Sequence, residues 1–155
     1  MTTQDPSPSV TDAQTGVIIV DHGSRRAESN DMLLEVVRRF AMDSHYAIIE
    51  PAHMELAEPS IATAFDRCVA RGAKRVVVMP YFLLPGKHWE QDIPHLAAQA
   101  ASKHPGVQHV VTAPLGLHPL MNKLIEARVD YCLRHVAGQE PECDVCKGLG
   151  RCQLK

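Results

Sequence analysis

Two histidines of this 155-residue chain lie at the ends of predicted strands, where an imidazole can contact a ligand. His22 follows the β-branched run at residues 17–20, and the adjacent Gly23 allows a sharp backbone turn. His88 follows the third predicted strand, in a connection that Gly86 makes irregular. Because open α/β sheets bind ligands at the carboxyl ends of their strands, we expect the two imidazoles to share one divalent metal ion. Taken singly, His22 would equally suit a structural or capping role, and His88 a surface position.

Glu55 and His53 lie in a loop predicted at residues 51–56, after the second strand. A carboxylate here would help to dock a metal ion or accept protons during a reaction. The alternative is an acid that interacts with the first turn of the following helix, a role that fits Glu58 better. Glu55 is therefore a predicted catalytic residue, and His53 is a further candidate.

Cationic and aromatic side chains beside the two histidines suit a substrate that carries several carboxylates. Arg25, Arg26 and Lys87 are natural partners for carboxylates, and Trp89 offers an aromatic face. The predicted substrate-binding residues are Ser24, Arg25, Lys87 and Trp89. Two alternatives stay open, because Ser24 could cap the following helix and each cation could be an ordinary solvated side chain.

Three cysteines crowd into the last thirteen residues and form the sharpest local signal in the chain. Cys143 and Cys146 are two residues apart, a spacing that lets both thiolates bind one soft metal, and Cys152 follows closely. A fourth ligand is needed, and we assign it to Cys132, with His135, a partner chain's cysteine or an external thiol as alternatives. Iron–sulfur clusters and zinc both accept such thiolates.

Composition restricts the class of protein. Apolar residues make up 45% of the chain, enough for one ordinary core. A net charge of -2 and a pI near 6.5 disfavour general binding to nucleic acid or to a membrane surface. No apolar run approaches the roughly 20 residues that cross a bilayer, which predicts a soluble protein. Residues 1–15 are polar, without a hydrophobic signal region, and are predicted to be a flexible tail.

Strands and helices alternate along the chain, which predicts a doubly wound parallel four-stranded sheet flanked by helices. The predicted strands cover residues 17–20, 46–50, 75–79 and 108–112, and the predicted helices cover residues 27–42, 58–71, 92–103 and 119–135. Pro59 is expected near the first turn of the second helix, and the last helix is expected to close the core. The α/β domain then spans residues 16–136, and an irregular Cys-rich tail spans 137–155.

Five motifs in this order resemble the short class II chelatases of the siroheme and anaerobic cobalamin pathways, over residues 17–134. The motifs are IVDHGSR (19–25), ELAEPSI (55–61), VVMPYFL (77–83), GKH (86–88) and APLG (113–116). The resemblance implies a lyase that inserts Fe2+ into sirohydrochlorin, releasing two protons and forming siroheme. It also implies that His22 and His88 are the metal-binding and catalytic pair, that Glu55 assists them, and that the chain forms a homodimer.

The tail pattern CxxCKGxGxC is similar to the extension of plant sirohydrochlorin ferrochelatases. That resemblance implies a 2Fe-2S cluster and a location in the chloroplast stroma, for a mature form without a transit peptide. A bacterial cytoplasmic protein is the alternative. Other functions also stay open, namely a cobaltochelatase acting on the same ring with Co2+, a non-catalytic metal carrier or sensor, and a zinc-knuckle interaction module.

Overall fold

The computed structural model describes residues 10–155, which divide into two compact units, one ending at Gly116 and the other running from Leu117 to Lys155. The strands are β1 (Thr15–Asp21), β2 (Ile48–His53), β3 (Arg75–Pro80) and β4 (Gln108–Val111). The helices are α1 (Ala27–Asp43), α2 (Ile61–Ala70), α3 (Ile93–Ala101) and α4 (Pro119–Val136). Residues 1–9 of the predicted flexible tail lie outside the described residues, and Asp12–Gln14 form a short 3-10 turn.

The four strands form one parallel sheet in the order β2-β1-β3-β4. Because the sheet is parallel, all four strands end at the same edge, and β1 and β3 end next to each other. Val20 of β1 is paired with Pro80 of β3, while Asp21 is paired with His53 of β2. The predicted parallel α/β fold is thus confirmed, and the connections that follow β1, β2 and β3 meet at one edge.

The residues of β1 alternate between two apolar layers, one on each face of the sheet. Ile18 and Val20 are fully buried on the face covered by α2 and α3, together with Phe65. Val17 and Ile19 pack on the opposite face against α1. A strand covered on both faces holds its carboxyl end in a fixed place, because neither layer can shift without opening a packed core.

Strand β2 continues to His53, so the prediction of a loop from residue 51 is wrong for residues 51–53. Pro51 suggested the end of the strand because proline cannot donate to a sheet ladder. β2 is an edge strand, however, and the His53 N–H points away from β1, donating to Pro59 O. The backbone N–H groups of residues two apart in a strand point to the same side, so the nitrogen of Pro51 also faces away from β1. The missing N–H of Pro51 therefore removes no hydrogen bond between β1 and β2.

Two helix starts also differ from the sequence prediction. Helix α2 begins at Ile61, and Pro59 precedes it, because Ser60 is the N-cap and its hydroxyl accepts from Thr63 N at 3.2 Å. A π-helical turn, His88–Asp92, leads directly into α3 at Ile93. The segment from His88 was predicted to be part of an irregular connection. A single π-helical turn is too short to show a periodic pattern of apolar residues, so the pattern does not reveal it.

Helix α4 belongs to the second unit and runs to Val136, close to its predicted length. None of its residues is buried, and the expectation that it closes the core stays a prediction. Apolar residues at helical spacing suggested that role, yet Leu120, Ile125 and Leu133 are exposed. Over residues 10–155, no helix combines the length and apolar character that crossing a membrane requires.

Candidate active site

His22 and His88 meet at the carboxyl edge of the sheet. His22 directly follows β1, and His88 begins the π-helical turn after β3, the strand paired with β1. Their ring centroids are 4.8 Å apart and the ring planes are inclined by 70°. Adjacent parallel strands therefore bring together two imidazoles that are far apart in the sequence.

Glu55 contacts His22 through its carboxylate. Its Oε1 is 3.0 Å from His22 Nε2, and the backbone supports this approach because Glu55 N donates to His22 O at 3.1 Å. Gly23 has a φ of +89°, and a Cβ at this position would overlap with the carbonyl oxygen of Glu55. Only glycine permits the two segments to come this close without strain.

Both ring nitrogens of His22 face oxygen atoms. Nδ1 lies 3.1 Å from the carbonyl oxygen of Gly23, and Nε2 faces the Glu55 carboxylate. Both oxygens only accept hydrogen bonds, and a neutral ring carries a single N–H, so one of the two contacts is left without a hydrogen. A cation between these atoms, either a proton or a metal ion, makes the contact favourable. The pair therefore forms two adjacent donors for a divalent cation.

His88 has its own carboxylate partner, since Nδ1 lies 2.7 Å from Asp92 Oδ2. The side chains of His22 and His88 are 43% and 47% exposed, so a bulky substrate can reach both rings. Across residues 10–155, no three or more His, Cys, Asp or Glu side chains are arranged to hold a metal ion. The two imidazoles and Glu55 therefore lie at an open edge of the sheet without forming a preassembled three-ligand site.

His53 is buried, unlike the other site candidates. Its Nδ1 lies 2.6 Å from Asp21 Oδ1, and its side chain is 1% exposed. As the last residue of β2, it joins the carboxyl end of that strand to the carboxyl end of β1. His53 is therefore paired with Asp21 in the interior of the fold and does not belong to the exposed His22–His88 pair.

The predicted substrate-binding residues fall into two groups. Arg25 and Lys87 are exposed on the segments that carry His22 and His88, where a bound anion can reach them. Ser24 Oγ accepts from Arg26 N at 3.0 Å, so its hydroxyl is engaged in the turn before α1. The N-cap of α1 is Arg26, so the alternative that Ser24 caps this helix is wrong. Trp89 is half-buried, and its indole Nε1 donates to the carbonyl oxygen of Thr112 at 2.8 Å.

Sequence reasoning did not single out Asp21 or Asp92. Asp92 is four positions from His88, a spacing that would have indicated the pair had a helical backbone been predicted there. Asp21 is adjacent to His22, and only the pairing of β1 with β2 brings it to His53. No local signal in the sequence reveals that contact.

The cysteines of the second unit interact with one another. Hydrogen bonds with Cys152 and Cys143 raise the pKa of Cys146 to about 11. The backbone N–H groups of Cys146 and Val145 lower the pKa of the Cys143 thiol. Partial burial and the neighbouring Cys152 raise the pKa of the Cys132 thiol. The four predicted ligands are thus connected in the order Cys132, Cys152, Cys146, Cys143.

The fold and the site together define a parallel α/β domain with two imidazoles and a carboxylate at the carboxyl edge of its sheet. The model of the CbiX family matches residues 16–132, and the chain belongs to this family. Membership confirms the chelatase resemblance that the motifs indicated.

Known proteins similar to this chain include chelatases for iron and for cobalt. The chloroplastic sirohydrochlorin ferrochelatase of Arabidopsis thaliana is 56% identical over 90% of this chain and 62% of that protein. A sirohydrochlorin cobaltochelatase of Priestia megaterium is 34% identical over 73% of this chain and 37% of that protein. The crystal structure of the sirohydrochlorin chelatase SirB from Bacillus subtilis subspecies spizizenii in complex with cobalt has a TM-score of 0.71. Its identity is 29%, covering 76% of this chain and 50% of that one. This chain thus spans less than two thirds of each of these relatives.

Proposed function

We propose that this protein is a sirohydrochlorin ferrochelatase, a lyase that inserts Fe2+ into sirohydrochlorin and releases two protons, forming siroheme. The observation that carries the proposal is the meeting of His22, His88 and Glu55 at one exposed edge of the sheet. The 56% identity to the Arabidopsis thaliana enzyme supports the choice of ring and metal.

Metal delivery is the first task of the site. Neutral imidazole binds Fe2+ without cancelling its charge, so the ion stays attractive to the ring nitrogens. His88 has Nδ1 directed at the Asp92 carboxylate, which leaves Nε2 for the metal, whereas at His22 the metal would take the place of a proton between Nε2 and Glu55. Two protein ligands leave most of the coordination sphere open, and the ring nitrogens can replace water step by step.

Proton removal is the second task, and Glu55 is placed to perform it. Its carboxylate is exposed and lies 3.0 Å from His22 Nε2. Once the metal passes to the ring, the carboxylate and the released imidazole can each accept a proton from a pyrrole nitrogen. One ring nitrogen cannot hold the metal and a proton at once, so the two roles of His22 are successive.

The carboxylates of the macrocycle require cations at the rim of the site. Arg25 and Lys87 are exposed and flank the two histidines in sequence, so they are the proposed anion-binding residues. The indole of Trp89 is hydrogen-bonded to the carbonyl oxygen of Thr112, directly after β4. We therefore propose that Trp89 holds the turn that carries His88 in position. Ser24 is proposed to shape the turn rather than to contact the substrate.

A cobaltochelatase is the second candidate. It is favoured by the 34% identity to the Priestia megaterium enzyme and by the cobalt complex of SirB. The ferrochelatase has the stronger support, because the similarity to the iron enzyme is higher and covers more of both chains.

The cysteines of the second unit are proposed to hold a 2Fe-2S cluster. Its donor set would be Cys132, Cys143, Cys146 and Cys152, whose thiols interact in pairs. Among the described residues these thiols are not grouped for one metal, so they would have to move closer together to bind the cluster. When bound, the cluster would supply a one-electron redox centre. Insertion transfers no electrons, so we propose that it senses the redox state or links subunits.

Two further proposals concern assembly and location. A homodimer is supported by the exposed apolar side chains of α4, among them Leu120, Ile125 and Leu133. A chloroplast location is supported by the name of the Arabidopsis thaliana relative, and we propose the stroma as the compartment.

The direct test is to purify the protein without oxygen and mix it with sirohydrochlorin and either Fe2+ or Co2+. We expect the ring spectrum to shift faster than without protein, with iron preferred, and the protein to be brown. Metal binding without a change in the ring spectrum would instead identify a carrier or sensor. A colourless protein that contains zinc would identify the tail as an interaction module and contradict the cluster.

A further inference from the structure

We infer that Asp92 is a positioning residue for His88, which it holds in the tautomer whose Nε2 can bind the metal. The inference deepens the proposed function and rests on it for the role of His88. His88 Nδ1 lies 2.7 Å from Asp92 Oδ2. An ionised carboxylate only accepts hydrogen bonds, so Nδ1 carries the proton and the lone pair of the neutral ring lies on Nε2.

The backbone brings the two residues together. His88 and Asp92 are the first and last residues of the π-helical turn, and Ile93 N closes it by donating to His88 O. Side chains four apart on a helical backbone lie on the same face, so Asp92 reaches the imidazole without distortion. The contact is built into the turn that carries the histidine.

The turn is fixed at both of its ends. Trp89 Nε1 donates to the carbonyl oxygen of Thr112 at 2.8 Å, which attaches the start of the turn to the end of β4. Ile93, directly after Asp92, is fully buried among the residues of the larger core. Asp92 is therefore held in place by the fold, and it can fix the imidazole rather than follow its movements.

His22 and His88 share this arrangement, with different acceptors. The Nδ1 of His22 faces the carbonyl oxygen of Gly23 at 3.1 Å, whereas His88 uses the Asp92 carboxylate. The Nε2 of His22 also faces the Glu55 carboxylate at 3.0 Å, so a metal ion would there take the place of a proton. A carboxylate behind a histidine ligand fixes its orientation and strengthens it as a base, and loss of such a partner typically weakens metal binding by about 10–100-fold.

The experiment separates orientation from folding. The tautomer of His88 is read from long-range 1H–15N spectra of 15N-histidine protein at about pH 8, where an ordinary imidazole is neutral. The His88→Gln spectrum assigns the signal. Binding of Co2+ alone is then titrated for the parent, Asp92→Asn and Asp92→Ala. The matched control is Asp66→Asn, which alters another His–Asp contact, between His104 Nε2 and Asp66 at 2.6 Å.

We expect the parent His88 to carry its proton on Nδ1, and Asp92→Ala to bind Co2+ about 10–100-fold more weakly. Asp92→Asn should lie between the parent and Asp92→Ala, while Asp66→Asn should match the parent. A parent His88 protonated on Nε2, or unchanged Co2+ affinity in Asp92→Ala, would overturn the inference. If Asp92→Ala does not fold, the tautomer of His88 in the parent and the Co2+ affinity of Asp92→Asn test the inference instead.

The proposed function can fail separately. Should the parent bind Co2+ as expected and yet leave the sirohydrochlorin spectrum unchanged, chelatase activity would be refuted while the role of Asp92 stands. The reverse result, an active enzyme with the wrong tautomer, would refute only the inference.

Discussion

His53 and Asp21 join the carboxyl ends of β2 and β1 through a 2.6 Å hydrogen bond that is almost wholly shielded from solvent on the histidine side. Asp21 precedes His22 in the chain, and Glu55 follows His53 by two positions. The His53–Asp21 contact is therefore close in the chain to both members of the exposed His22–Glu55 pair. Its removal should affect both stability and metal binding.

We predict that His53→Ala lowers the free energy of unfolding by about 1–3 kcal/mol, because it leaves the Asp21 carboxylate without its partner in a half-buried position. Urea denaturation followed by circular dichroism measures this change. Asp66→Asn alters a similar contact whose aspartate is more exposed, and it should cost less. Equal stability of His53→Ala and the parent would show that the buried pair contributes nothing.

The close approach of Gly23 to Glu55 gives a second prediction. Gly23→Ala should destabilise the protein and weaken Co2+ binding, since the added methyl group collides with the Glu55 backbone. Gly72→Ala is the matched control, because Gly72 also has a positive φ but a methyl group added there would meet no atom within 4 Å. Backbone strain alone costs about 1–3 kcal/mol, and the difference between the variants isolates the collision. Equal effects of the two substitutions on stability and Co2+ affinity would contradict the predicted collision with the Glu55 backbone.

Thiol reactivity tests the arrangement of the cysteines in cluster-free protein. Cys143 should react first with iodoacetamide near neutral pH, because its lowered pKa gives more thiolate. Cys146, whose pKa is raised to about 11, should react much more slowly, and raising the pH should reduce the difference. Burial raises the pKa of Cys68 to about 12, so it should react only on unfolding. Mass spectrometry of timed digests gives the order, and earlier labelling of Cys146 would refute these contacts.

The parallel α/β fold could be predicted because its strands are short apolar runs separated by helices of clear period. The positions at which strands and helices begin and end were harder to predict. β2 continues through Pro51 because it lies at the edge of the sheet, and His88 begins a π-helical turn whose length shows no periodicity. Edge position and turn type depend on the tertiary arrangement, which short-range patterns do not contain.

Some residues of the candidate site could be predicted from the sequence, and others could not. His22 and His88 stood out because they follow strands whose carboxyl ends share an edge. The contact of Asp21 with His53 depends on strand register, and the contact of Asp92 with His88 on an unpredicted turn. Exposure of α4 could not be foreseen, since an apolar face has the same pattern whether it is covered or not.

The central claim is that His22 and His88 together deliver the metal to the ring, and steady-state insertion of Fe2+ into sirohydrochlorin tests it most directly. His22→Ala and His88→Ala should each lower the rate by about 100-fold or more with the fold intact. His45→Ala is the matched control, since His45 is an exposed histidine that pairs with Asp12, and it should match the parent. Parental rates in both site variants would contradict the claim.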